Sequence, residues 1–123
     1  DRDQSSQPGG TPLKIACAIL AGLLLTVPIS AQETLSPAQA ETRLRGCLQA
    51  GAGGAPRTGL RAAVVAVRAL CKPQIDRVAD HRIAEATQGL TGDEAEQARQ
   101  SAILQLNDEI ARAIANFTGL RTL

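Results

Sequence analysis

Phe117 is the only aromatic side chain among 123 residues. A core without rings must be assembled from alanine, leucine, isoleucine and valine. Such small side chains let helices approach at the near end of the usual range of about 8–10 Å between axes. The same scarcity weighs against recognition of sugars or single-stranded nucleic acid, which relies on aromatic stacking platforms. Beyond the leader described below, the length suits one small domain with a thin core, since domains of this size hide only about 60–65% of their unfolded surface.

The apolar residues from position 36 onward recur at helical spacing, and no segment alternates at period two. The expected fold class is therefore all-α: a small bundle of three to four helices after a cleaved signal peptide, with residues 32–123 as the helical domain. Ser36-Pro37-Ala38-Gln39 combines an N-cap, a proline at the first helical position and the glutamine of a capping box. Ala40, Leu44, Cys47 and Leu48 then share one face, and the run Gly51–Pro56 is expected to end this helix as a flexible loop.

A second helix is predicted from near Thr58 to about Cys71, with Leu60, Ala63, Val64, Val67 and Leu70 as its main stripe. Ala62, Val65, Ala66 and Ala69 fill most of its remaining surface, and only Arg61 and Arg68 mark a polar line. A helix so apolar is either central in the bundle or part of an oligomer contact. Pro73 either opens a third helix or kinks a longer one. That helix is expected to run to Gln88 and to bury Ile75, Val78, Ala79, Ile83 and Ala86, with Gly89 closing it and Leu90 making the accompanying apolar contact. Thr91-Gly92-Asp93-Glu94 reads as a second capping box. The last helix, from about Gly92 to Phe117, carries its stripe through Ala95, Ala98, Ala102, Ile103, Leu106, Ile110, Ala113, Ile114 and Phe117, and Gly119 ends it.

Before the domain, Lys14 precedes the apolar run Ile15–Ile29, which contains Pro28 and is followed by Ser30 and Ala31. Charge, short apolar stretch, helix breaker and small residue follow the order of a secretory signal peptide over residues 13–31, with cleavage expected after Ala31. About 15 apolar residues fall short of the ~20 that a spanning helix needs. The alternative is an uncleaved anchor, the one route by which the chain would meet a membrane. Residues 1–12 are polar and read as a disordered or spurious extension, with Leu13 marking an initiator encoded by a leucine-type codon. The arginine- and alanine-rich composition has a bacterial cast. The expected location is the periplasm or the secreted fraction.

In such an oxidising space Cys47 and Cys71 can pair. A bridge between them closes a loop of about 25 residues, contributing roughly 3 kcal/mol in the chain-entropy model. In a tight hairpin Cys71 would lie about 20 Å beyond the point that Cys47 faces, whereas a bridge needs α-carbons within about 7 Å. The pairing is feasible where the glycine-rich loop, able to reach about 23 Å, runs back along the second helix, or where the helices cross steeply. Pairing between chains is the other possibility.

The charges nearly cancel, with a formal net of +1 and no block of like sign, so a nucleic-acid footprint is absent. No Cys-x-x-Cys spacing and no phosphate-cradling glycine loop occurs. His81 is the only histidine, and with Glu85 one turn on it makes a thin metal-ligand set. Asp76, Arg77, Asp80, Arg82 and Glu85 read as a solvated, charge-laced face. Asp108 and Glu109, being sequence neighbours on a helix, point apart. Asn107 falls beside the apolar stripe, either as a buried register-setting group or as a flank residue. Asn116-Phe117-Thr118 matches a glycosylation pattern inside a predicted helix end. No catalytic set, metal site or cofactor is expected. Two functions remain: a non-enzymatic protein-interaction or structural module that uses a helical face on a protein partner or on a second copy, or a small-ligand or metal binder using His81 and nearby carboxylates.

Overall fold

The computed structural model describes residues 34–121; the predicted extension and leader lie outside the described residues. The described residues form four helices and no strand: α1 (Pro37–Gly53), α2 (Leu60–Leu70), α3 (Lys72–Ala86) and α4 (Gly92–Thr118). None of them is long and apolar enough to cross a membrane.

Helix α1 starts as the sequence predicts. The Gln39 amide donates to Ser36 Oγ at 3.1 Å and the Ser36 amide donates to Gln39 Oε1 at 3.0 Å, so two otherwise orphaned donors are satisfied reciprocally. Ala40, Leu44 and Leu48 are buried, with Cys47 half-buried beside them. The end of α1 differs from expectation: the helix continues through Gly51 and Ala52, both buried, to Gly53. Helix propensity alone would stop at these glycines. Packing overrides it, because the absent Cβ of Gly51 lets α1 settle against α2. A Cβ there would sit 3.2 Å from both Val67 Cγ1 and Leu70 Cδ2.

Pro73 opens a helix rather than kinking one. Cys71, at φ −99° and ψ 15°, ends α2 and begins α3. Its N–H donates to the Val67 carbonyl and its carbonyl accepts from Ile75, both at 2.9 Å. Pro73 falls in the first turn of α3, where a missing N–H leaves no bond unmade. Ile75 and Val78 are buried and Ala79 and Ile83 half-buried, but Ala86 is exposed and α3 stops there rather than at Gln88. Gly89 turns the chain at φ +77°, a left-handed value that suits glycine. Leu90 stays 38% exposed, outside the core.

The second capping box is not made. Thr91 is the N-cap of α4, yet its side chain forms no cap bond. Gly92 enters the helix at φ +59°, away from the geometry that aims a capping hydroxyl into the first turn. Asp93 and Glu94 do occupy that turn, where the helix dipole favours them. Leu106, Ile110 and Ile114 are buried at period 3.6, and Gly119 closes the helix at φ +75°. Thr118 extends the helix one residue past Phe117 and is only 5% exposed; its hydroxyl donates to the Ile114 carbonyl at 2.7 Å.

These faces converge on one aliphatic core, in which Leu44, Leu48, Val67, Val78, Ile110 and Ile114 are the central members. Phe117 packs half-buried at its edge, so the interior is ring-free, as the composition requires. The sulfurs of Cys47 and Cys71 lie at bonding distance within the one chain, with α-carbons 5.9 Å apart. Because α1 reaches Gly53, Cys47 sits six residues (47 to 53), or about 9 Å, before its end. Cys71 lies eleven residues (60 to 71), or about 16 Å, beyond the start of α2. For aligned antiparallel helices that offset, about 7 Å, is what the loop 54–59 has to make good along α2. The loop is held by Arg57, whose Nη2 donates to the Thr118 carbonyl at 2.7 Å. A single arginine thus pins the return loop and satisfies one terminal carbonyl of α4.

Candidate functional site

Two features of the described residues stand out as candidates: a charged junction of three helices, and the outward face of α2. The junction is built on Arg82, projecting from α3. Its Nε and Nη2 donate to the Glu41 carboxylate of α1 at 2.9 and 3.0 Å. Its Nη1 and Nη2 donate to the Glu109 carboxylate of α4 at 2.7 and 3.0 Å. The guanidinium therefore forks to two carboxylates at once, a geometry that lysine cannot reproduce. Its side chain is 25% exposed, against 43% for Glu41 and 47% for Glu109.

These bonds reinforce the charged forms. Hydrogen bonds donated to Glu41 and then Glu109 hold the Arg82 guanidinium above its ordinary, already permanent, protonation range. The Arg82 hydrogen bond holds the Glu109 carboxyl below the usual carboxylate range. A cleft of about 550 Å³ opens beside the cluster, lined among others by Glu41, Arg82, Glu85, Gln105 and Glu109. Both carboxylates nearest Arg82 are engaged by it, and Glu109, held below the usual carboxylate range, is not poised as a proton donor near neutral pH. The arrangement acts as a tie that sets α1, α3 and α4 in register.

By sequence Arg82 is expected on a solvated face, and Glu109 is the neighbour of Asp108. The structure separates those groups. Arg82 leaves the exposed line formed by Asp76, Arg77 and Asp80 and turns into the junction, while Asp108 pairs with Arg112 at 3.0 Å along α4. The partners of Arg82 lie 41 and 27 residues away, so no local spacing announces them. His81 is half-buried on α3, and Glu85 is exposed. Among the described residues no three His, Cys, Asp or Glu side chains converge to hold a metal ion. Asn107 is exposed, which resolves it as a flank residue. Asn116 is exposed, but Thr118 of the same tripeptide is buried and bonded within the helix.

Helix α2 has two aliphatic sides. Leu60, Ala63 and Val67 are buried in the core. Ala62, Val65, Ala66 and Ala69 recur at i, i+3, i+4 and i+7 and so form a second stripe on the opposite side of the helix. Along it Val65 is 64% exposed, Ala69 is exposed, and Ala62 and Ala66 are half-buried. Leu70, also 64% exposed, continues the apolar surface toward Gly51 of α1. Helix α2 is therefore not enclosed by the bundle: one side fills the core and the other meets solvent. Arg61 and Arg68 flank the outer stripe, and neither forms an ion pair among the described residues. Helix α2 contains no carboxylate.

No protein-family model, curated protein or solved structure matches this chain.

Proposed function

We propose that this chain is an exported, non-enzymatic interaction or structural module that docks the outer face of α2 on a protein partner. The observation that carries the reading is the solvent-facing stripe Ala62–Val65–Ala66–Ala69, continued by Leu70. A surface helix of a self-contained bundle normally turns polar residues outward. A second aliphatic stripe on an 11-residue helix has no role in the core that the first stripe already fills. Contiguous exposed apolar surface of this kind marks interaction sites.

The rest of the molecule supports a rigid carrier for that face. The Cys47–Cys71 bridge ties the end of α2 to α1. Arg57 fixes the loop that leads into α2, and Arg82 locks the other three helices together. A stapled helix loses little freedom on docking, which preserves binding energy. The bridge suits a periplasmic or extracellular, oxidising location, in keeping with the leader expected over residues 13–31.

A photo-activatable crosslinker placed at position 65 in the producing cell tests this reading, with position 100 on the exposed side of α4 as control. A discrete adduct from 65, absent from 100 and lost when Ala62→Asp is added, is expected. Silence at 65, or equal labelling from both positions, contradicts the proposal.

A further inference from the structure

Resting on the reading that the outer face of α2 docks a protein, we propose that its occupant is an amphipathic helix with acidic residues flanking its apolar ridge, rather than a second copy of this chain. Charge complementarity carries the choice. The only ionic groups of α2 are Arg61 and Arg68, seven residues apart on one flank of the outer stripe, and none of the ion pairs among the described residues includes them. Two copies packed antiparallel through this face would set Arg61 and Arg68 of each beside those of the other, four positive charges with no carboxylate between them. Two copies packed in parallel would leave all four without a partner. Like-charge juxtaposition of this sort selects against a pairing. A partner helix with Glu or Asp two turns apart matches the arginine spacing of about 10.5 Å and neutralises both.

The shape of the stripe points to a helix rather than to a lipid surface. Ala62, Ala66 and Ala69 form a shallow, smooth track with Val65 as its one central projection. Small residues let a second helix axis approach closely and seat its ridge beside Val65. Helices that insert into a lipid interface present bulky leucine and aromatic residues instead. This face has no ring, and Leu70 stands at its edge. With α2 only 11 residues long, the contact is small and the complex transient.

Two synthetic helical peptides test the proposal against the purified, oxidised protein. They share a leucine–alanine ridge; one carries glutamates seven residues apart on the flank, the other lysines. Amide resonances of α2 are followed by NMR during titration, alongside light scattering and sedimentation with phosphatidylglycerol vesicles. The acidic peptide is expected to shift the resonances around Val65 and to bind about tenfold more tightly than the basic one. The paired change Arg61→Glu and Arg68→Glu is expected to reverse that preference, and Val65→Asp to abolish both responses. Equal binding of the two peptides, or binding unchanged by charge reversal, overturns the proposal. So does a dimer dispersed by Val65→Asp, or vesicle binding without peptide binding. Of these, the dimer leaves the protein-docking reading intact while removing the acidic partner. Silence of both peptides together with silence of the crosslinker at position 65 removes both.

Discussion

Arg82 shows how one side chain can decide a junction that no short motif announces. Its two carboxylate partners are nearly half exposed, so each contact taken alone is a modest surface ion pair, worth about 0–1 kcal/mol. The shared, forked geometry and the mostly buried guanidinium raise the total. Arg82→Met is expected to cost about 1–2 kcal/mol, since it leaves Glu41 and Glu109 facing each other without a cation. The pH dependence follows from Glu109. Its carboxyl titrates below the ordinary range in the folded state, so its contribution is complete above the unfolded value of about 4.3 and is lost as pH falls through the folded value. Urea unfolding between pH 6 and pH 3 is expected to show a steeper loss of stability for the native chain than for Glu109→Gln. Parallel profiles would mean that the Arg82–Glu109 contact contributes nothing.

At the scale of elements, the glycines of α1 separate two kinds of requirement. Gly46 lies inside the helix with no atom within 4 Å of an added Cβ, whereas a Cβ on Gly51 meets Val67 and Leu70 at 3.2 Å. Gly46→Ala is expected to stabilise by about 0.5–1 kcal/mol through helix propensity alone. Gly51→Ala is expected to forfeit that gain, because Val67 is branched and fully buried and cannot yield freely. Thermal unfolding of both variants checks the contrast; an equal gain at both positions would show that α1 and α2 do not approach closely. The same pair explains what could be read in advance. The Ser36 cap, the apolar stripes of α1 and α4 and the Gly119 stop are local in sequence, and each was legible there. The extra turn at Gly51–Gly53 depends on α2, and the unmade Thr91 cap depends on the backbone angle at Gly92. For α2 the sequence left two outcomes open. Leu60, Ala63, Val64, Val67 and Leu70 stand out in the sequence as its main stripe; only the packing of its neighbours shows that the remaining side, through Val65 and Ala69, is left to solvent.

Across the whole molecule, the aliphatic interior, the bridge and the charged tie serve one end: they hold a short helix in place with one side in the core and one side free. The candidate surface was legible as an unusually apolar segment, because composition alone marks it. Its direction was legible in part: of the main stripe Leu60, Ala63, Val64, Val67 and Leu70, the residues Leu60, Ala63 and Val67 turn into the core, whereas Leu70 is left to solvent. The assignment of direction is the point on which the functional account turns. Urea unfolding of Val65→Asp beside Val67→Asp, measured on the single-chain species, tests it most directly. Val65 is 64% exposed and Val67 only 1%. A change within about 0.5 kcal/mol is expected for Val65→Asp, and a loss of more than about 3 kcal/mol, or failure to fold, for Val67→Asp. A cost at Val65 equal to that at Val67 would contradict this assignment, because the outer stripe would then be core.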